Sequence, residues 1–97
     1  MMTMREIIHQ VSLEYGVSVE DLLSDRRFKK LVIPRQDAVW RMRREYKDDG
    51  RHRYSFTQIA NLFNRDHSTM VTGRQRHIER MEKRNAKRTS EDAVRNI

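Results

Sequence analysis

Apolar residues recur at helical spacing in four separate stretches, and a polar helix-capping residue precedes three of them. In Thr3-Met4-Arg5-Glu6 the threonine can cap a helix while the glutamate reaches back to it. Ile7, Ile8, Val11 and Tyr15 follow on one face, and Gly16 supplies the left-handed residue that closes such a helix. Ser18 starts a short second helix to about Leu23, whose Val19, Leu22 and Leu23, with Val17 before it, pack back on the first. Residues 24–32 read as a loop. Pro34 suits the first turn of a third helix to about Tyr46, with Ala38, Val39, Met42 and Tyr46 as its buried stripe and Trp40 at its edge. Arg35, Arg41, Arg43 and Arg44 fall largely on its other faces. The polar stretch 47–54, which contains Gly50, reads as the most flexible loop.

Ser55-Phe56-Thr57-Gln58 repeats the capping pattern, and Phe56, Ile59, Ala60 and Phe63 form one apolar face. Asn64-Arg65 interrupts it, asparagine being tolerant of the left-handed turn conformation. A last helix is predicted from about Asp66 through Val71 and Ile78 to Met81. Residues 83–97 have no clear apolar stripe and read as a charged, fraying tail. The pattern therefore predicts an all-α bundle of about five or six helices in one domain over residues 1–82.

Composition narrows the function. The 97 residues contain no cysteine, which leaves no disulfide framework and no thiolate metal site. The longest uninterrupted apolar run is Leu31-Val32-Ile33, far short of a membrane span, and the N-terminus lacks a signal-peptide core, so the cytosol is the default. The net charge of +7 is uneven. Residues 1–24 carry one basic and four acidic residues, and the remainder carries 20 basic and 10 acidic. A basic body on a small acidic head suggests a polyanionic partner.

Two helices joined by a short turn, 55–63 and 66 onward, suggest a helix-turn-helix. In that motif the start of the second helix meets base edges in the major groove. Arg65, Asp66, His67, Ser68 and Thr69 occupy that start. Aspartate can accept from a cytosine amino group, a threonine methyl can touch a thymine methyl, and histidine and serine can bond base edges or phosphate. Asp66 or Ser68 taken singly reads better as a helix cap, whereas the full string is harder to read that way.

The string Asn64-Arg65-Asp66-His67-Ser68-Thr69-Met70-Val71 resembles the hallmark of the C-terminal DNA-binding domain (domain IV) of the bacterial chromosomal replication initiator DnaA. Asp21-Leu22-Leu23-Ser24 with Arg26-Arg27, Pro34-Arg35-Gln36, and Ser55-Phe56-Thr57-Gln58-Ile59-Ala60 resemble other parts of that family in the same order. The resemblance covers roughly residues 5–82 and implies a fold of the Trp-repressor-like superfamily. It implies a basic loop (Arg26, Arg27, Lys29, Lys30) whose Arg27 enters the minor groove. It implies that Arg35 and Gln36 hold the phosphate backbone, and that Ser55, Phe56 and Thr57 touch the backbone and a flanking base. Arg65, Asp66, His67, Ser68 and Thr69 would read the major groove.

Three departures stand out. The family's two glycines before Arg-Asp-His are replaced by Asn64 alone, which shortens the turn by one residue. A proline near the helix start is Thr57 here, and Asp25 interrupts the basic loop.

The full initiator also carries an ATPase domain, whereas Gly16, Gly50 and Gly73 are isolated and form no phosphate loop. No cofactor, metal or small-molecule substrate is expected. Met1-Met2-Thr3 running directly into a capping box favours a natural chain acting as a regulator on double-stranded DNA, as a monomer. Catalysis by Asp66-His67 is disfavoured because adjacent helical residues diverge by about 100°. The competing readings are non-specific nucleic-acid binding, a basic amphipathic helix over 74–88 on a membrane surface, and a protein interface at Trp40 or the tail.

Overall fold

The computed structural model describes the backbone of residues 1–95 and the side chains of residues 1–86. Five helices follow in order: α1 (Met4–Tyr15), α2 (Val19–Leu23), α3 (Lys29–Arg43), α4 (Phe56–Phe63) and α5 (His67–Arg95). The all-α expectation holds. Both capping boxes form: Thr3 accepts from Glu6 N–H and Ser55 from Gln58 N–H, while each partner side chain accepts from the cap's own N–H. These reciprocal bonds satisfy donors that a helix start otherwise leaves orphaned. Gly16 closes α1 in the left-handed region, at φ 66°.

The core joins α1 (Ile7, Ile8, Val11), α2 (Leu22), α3 (Ala38, Val39, Met42), α4 (Ile59, Ala60, Phe63) and the start of α5 (Met70). α3 is the central element and packs most extensively against α5 and then α1. Every helix contributes to this cluster, and Met70 ties the start of α5 to it.

Three boundaries and one buried stripe differ from the sequence pattern. α3 begins at Lys29, five residues before Pro34, because Leu31 is fully buried one turn ahead of Pro34 and extends the stripe backwards. The proline removes only the bond to the carbonyl of exposed Lys30. At its other end α3 stops at Arg43, and Tyr46 is exposed rather than part of the stripe. Tyr46 pairs with His52 in an isolated antiparallel bridge, so segment 47–54 turns back on itself around Gly50 (φ 86°). Among the described residues of α5 the buried positions are Met70, Gly73 and His77, with Val71 exposed. Finally, α5 continues through residues 83–95, where a fraying tail was expected; Asn96 and Ile97 lie outside the described residues. Glutamate, lysine, arginine and alanine are strong helix formers and carry the helix without an apolar face.

A buried polar cluster ties α1, α3 and α5 together. Asp37, 5% exposed, accepts from the Tyr15 hydroxyl (2.6 Å) and from Arg41 Nε (2.8 Å). Arg41 also pairs with Glu14 of α1. His77 Nε2 lies 3.6 Å from Asp37 Oδ1, and the His77 ring packs at 5.1 Å from Trp40. Arg80, which can only donate, reaches His77 Nδ1 at 2.9 Å, so Nδ1 is the acceptor and Nε2 carries the proton. Burial pushes the His77 pKa below its ordinary value, and the ring is neutral.

Candidate nucleic-acid interface

The turn between α4 and α5 is built by one residue. Asn64 closes α4 in the left-handed region (φ 52°, ψ 49°), where its N–H still reaches the carbonyls of Ala60 and Asn61. It thus supplies in one position the conformation that glycine usually provides. Arg65 N–H then bonds the Ala60 carbonyl (2.9 Å), and α5 starts two residues later. Asp66, just before it, and His67, Ser68 and Thr69 on its first turn are all exposed. The His67 ring packs edge-on against Phe56 of α4, with centroids 5.6 Å apart. The Arg43 guanidinium lies over the Phe56 ring, 4.1 Å from its centroid. A histidine at a helix start is therefore held by a half-buried ring.

The basic loop lies beside this helix start. Two adjoining grooves join the loop to α5. One, of about 500 Å³, is lined by Arg27 from the loop, Arg35 and Gln36 from α3, and Arg65, Ser68 and Thr69 from the turn and α5. The other, of about 530 Å³, is lined by Asp25 and Arg27 on one side and Asn64, Arg65, Asp66 and Thr69 on the other. Arg27, Arg65 and Thr69 line both. Residues separated by some forty positions in sequence thus converge on one concave surface that carries arginines beside the apolar Val32, Val39, Phe63 and Met70.

The remaining expected residues sit around it. Arg26 faces Asp21 at 3.6 Å and, like Lys30, lies 5.9 Å from the Phe28 ring. Lys29 is exposed at the start of α3. Ser55 and Thr57 are exposed at the start of α4, outside both grooves, with the Ser55 oxygen engaged in its cap. Gln36 accepts from Arg80 (2.9 Å) through Oε1, which leaves its amide N–H groups as the donors at the groove. Arg35 is different in kind. Its guanidinium turns under the loop onto backbone carbonyls, and burial first and the Arg65 charge second lower its pKa.

Two polar groove residues lie outside the expected site set. Thr72 and Arg76 line the first groove one and two turns beyond Ser68. Spacing of four and eight residues from Ser68 places them on its face, a signal available in the sequence. Among the described residues no group of acidic, histidine or cysteine side chains could hold a metal ion, and no helix is long and apolar enough to cross a membrane.

Comparison with known proteins places the sequence in a family. The model of the family described as bacterial dnaA protein helix-turn-helix matches residues 4–76. Similar curated proteins include chromosomal replication initiator protein DnaA 2 of Protochlamydia amoebophila, 34% identical over 70 residues that make up 72% of this chain and 14% of that protein. The DnaA of Chloroflexus aurantiacus is 32% identical over 90 residues, 92% of this chain and 18% of the relative. That of Chloroflexus aggregans is 37% identical over 68 residues, 69% of this chain and 13% of the relative. The chain thus spans less than a fifth of the length of these relatives. No solved structure is a significant match. With its exposed polar helix start, left-handed turn and matched span, the chain belongs to the bacterial DnaA helix-turn-helix family, a family of DNA-binding modules.

Proposed function

We propose that this chain reads a specific duplex site resembling the initiator's nonamer box, with the start of α5 in the major groove and the basic loop in the adjacent minor groove. The observation that supports this reading most directly is the convergence of Arg27, Arg65 and Thr69 on both grooves beside the exposed run Asp66-His67-Ser68. An arginine on a separate loop next to a helix start fits a two-groove grip, because a minor groove attracts arginine through its shape and potential. Asp66, His67 and Thr69 would contact base edges. Gln36, Ser68, Thr72 and Arg76 would contact phosphates, and Ser55, Phe56 and Thr57 would flank them. In this reading the protein acts as a monomer in the cytoplasm, at the nucleoid, without ATPase activity of its own. It would regulate replication or transcription by occupying its site.

The test is selection of bound duplexes from a random pool. Enrichment of one nonamer-like sequence is expected. Asp66→Ala, His67→Ala and Thr69→Ala should then each cost about 1–3 kcal/mol on the selected site and little on random DNA. Retention of the pool without enrichment, or equal losses on both DNAs, would favour a non-specific basic binder instead.

A further inference from the structure

Arg35 sits at the front of α3 where a phosphate-holding arginine is expected, yet its donors face inward. Nε donates to the Leu22 carbonyl (2.9 Å) and Nη1 to that of Arg26 (2.7 Å). Nη2 donates to the carbonyls of Asp21 (2.8 Å) and Ser24 (2.8 Å). A guanidinium has five N–H groups, so four are spent on four carbonyls within one six-residue stretch. Asp21 and Leu22 belong to the last turn of α2, where a cation is favourable; the Asp21 carbonyl also accepts from the Ser24 N–H and hydroxyl. Ser24 and Arg26 belong to the basic loop. The Ser24 carbonyl also accepts from Arg65 Nη2 at 3.4 Å, which links the loop to the turn before α5.

We infer that Arg35 is the positioning residue of the basic loop: it sets the place of Arg27 relative to α5 by holding four carbonyls between Asp21 and Arg26, and it does not itself hold phosphate. Lysine keeps the charge but is a point donor on a flexible stem and cannot bridge four carbonyls. This separates the two roles. A phosphate contact tolerates Arg35→Lys, whereas a loop clamp does not. The inference rests on the two-groove reading for its effect on DNA, but the clamp itself is present without DNA.

The experiment therefore has two arms. In the DNA-free wild-type protein, solvent exchange of the Arg35 Nε–H is followed by NMR. Slow exchange against exposed arginines such as Arg5 and Arg27 is expected, and exchange as fast as theirs would overturn the clamp. In the binding arm, Arg35→Lys and Arg27→Ala are measured singly and together on the selected site. Each single variant should lose about tenfold or more, as for a charged hydrogen-bonding group, and the double variant should lose no more than the worse single. Arg35→Lys should also relax base preference at the positions that Arg27→Ala relaxes, while preference at positions dependent on His67 persists. Losses that multiply, or Arg35→Lys binding like wild type while Arg35→Ala lowers the salt slope by about one, would make Arg35 a phosphate contact and overturn the inference. If Arg35→Lys does not fold, the exchange arm decides. If no duplex is selected at all, the two-groove reading fails while the exchange arm still tests the clamp.

Discussion

Replacing Asp37 by asparagine removes one charge from the centre of the bundle while preserving shape. The carboxylate accepts from Tyr15 at 2.6 Å, from Arg41 Nε at 2.8 Å and from Arg41 Nη2 at 3.2 Å. Asparagine offers one oxygen, so one set of donors must face an amide NH₂. Tyr15 can rotate its hydroxyl and is 39% exposed, which makes its adjustment inexpensive. Arg41 cannot accept, and it loses charge assistance. Breaking a fully buried ion pair costs about 3–5 kcal/mol. Here the Arg41 side chain is 23% exposed and keeps Glu14, so the loss is nearer that of one charge-assisted hydrogen bond, about 2–3 kcal/mol. A domain of this size has only about 5–15 kcal/mol in total. The expected shift in Tm is roughly 10–20 °C. Urea unfolding followed by circular dichroism should show a lower midpoint with an unchanged slope. Affinity of the folded protein for DNA should stay within about twofold, because Asp37 lines neither groove. Coupling to Tyr15→Phe in a double-mutant cycle should reach about 1 kcal/mol. A loss below about 0.5 kcal/mol, within the usual range of surface substitutions, would refute the reasoning.

Asn64→Ala should destabilise by about 1 kcal/mol because alanine pays for the left-handed conformation, whereas Asn64→Gly should be close to neutral; equal midpoints for alanine and asparagine would contradict this. His77 is depressed below its ordinary pKa, so the unfolded chain binds its proton first as pH falls. Stability should therefore be full above about 6.5 and decline as pH drops toward the lower folded value. His77→Gln should remove that component from a series of denaturant midpoints against pH, and an unchanged pH dependence would count against a neutral buried ring. Phe56→Leu keeps apolar bulk but loses the ring against His67, and should weaken binding to the selected site by about 0.5–1.5 kcal/mol. That loss should vanish in a His67→Ala background; additive losses would mean Phe56 acts on DNA by another route.

What the sequence revealed was mostly local chemistry. Thr3, Ser55, Gly16 and Asn64 each announce a helix end because cap and capped group lie within four residues. The surface run Asp66-His67-Ser68-Thr69 was legible because exposed polar residues interrupt an apolar pattern. Tertiary partners were not legible. Asp37 looks like one more polar residue on an arginine-rich helix until Tyr15 and His77 arrive from α1 and α5. The α5 stripe was misplaced because Gly73 and His77, neither obviously apolar, hold buried positions while Val71 does not. Arg35 shows the limit most clearly. A cation beside a basic loop has the same spelling whether it faces a phosphate or a row of carbonyls.

The Ser24 carbonyl accepts from both Arg35 and Arg65, one from the helix under the loop and one from the turn ahead of α5. A shared acceptor acts as a gauge block between two prongs. Under the two-groove reading it would help to set the span between Arg27 and Thr69, and the pair would then favour a polymer whose neighbouring grooves have that separation and admit a helix. A-form RNA, with a deep, narrow major groove, does not admit one. Under the two-groove reading, a single carbonyl oxygen thus contributes to choosing between kinds of nucleic acid before any base is read.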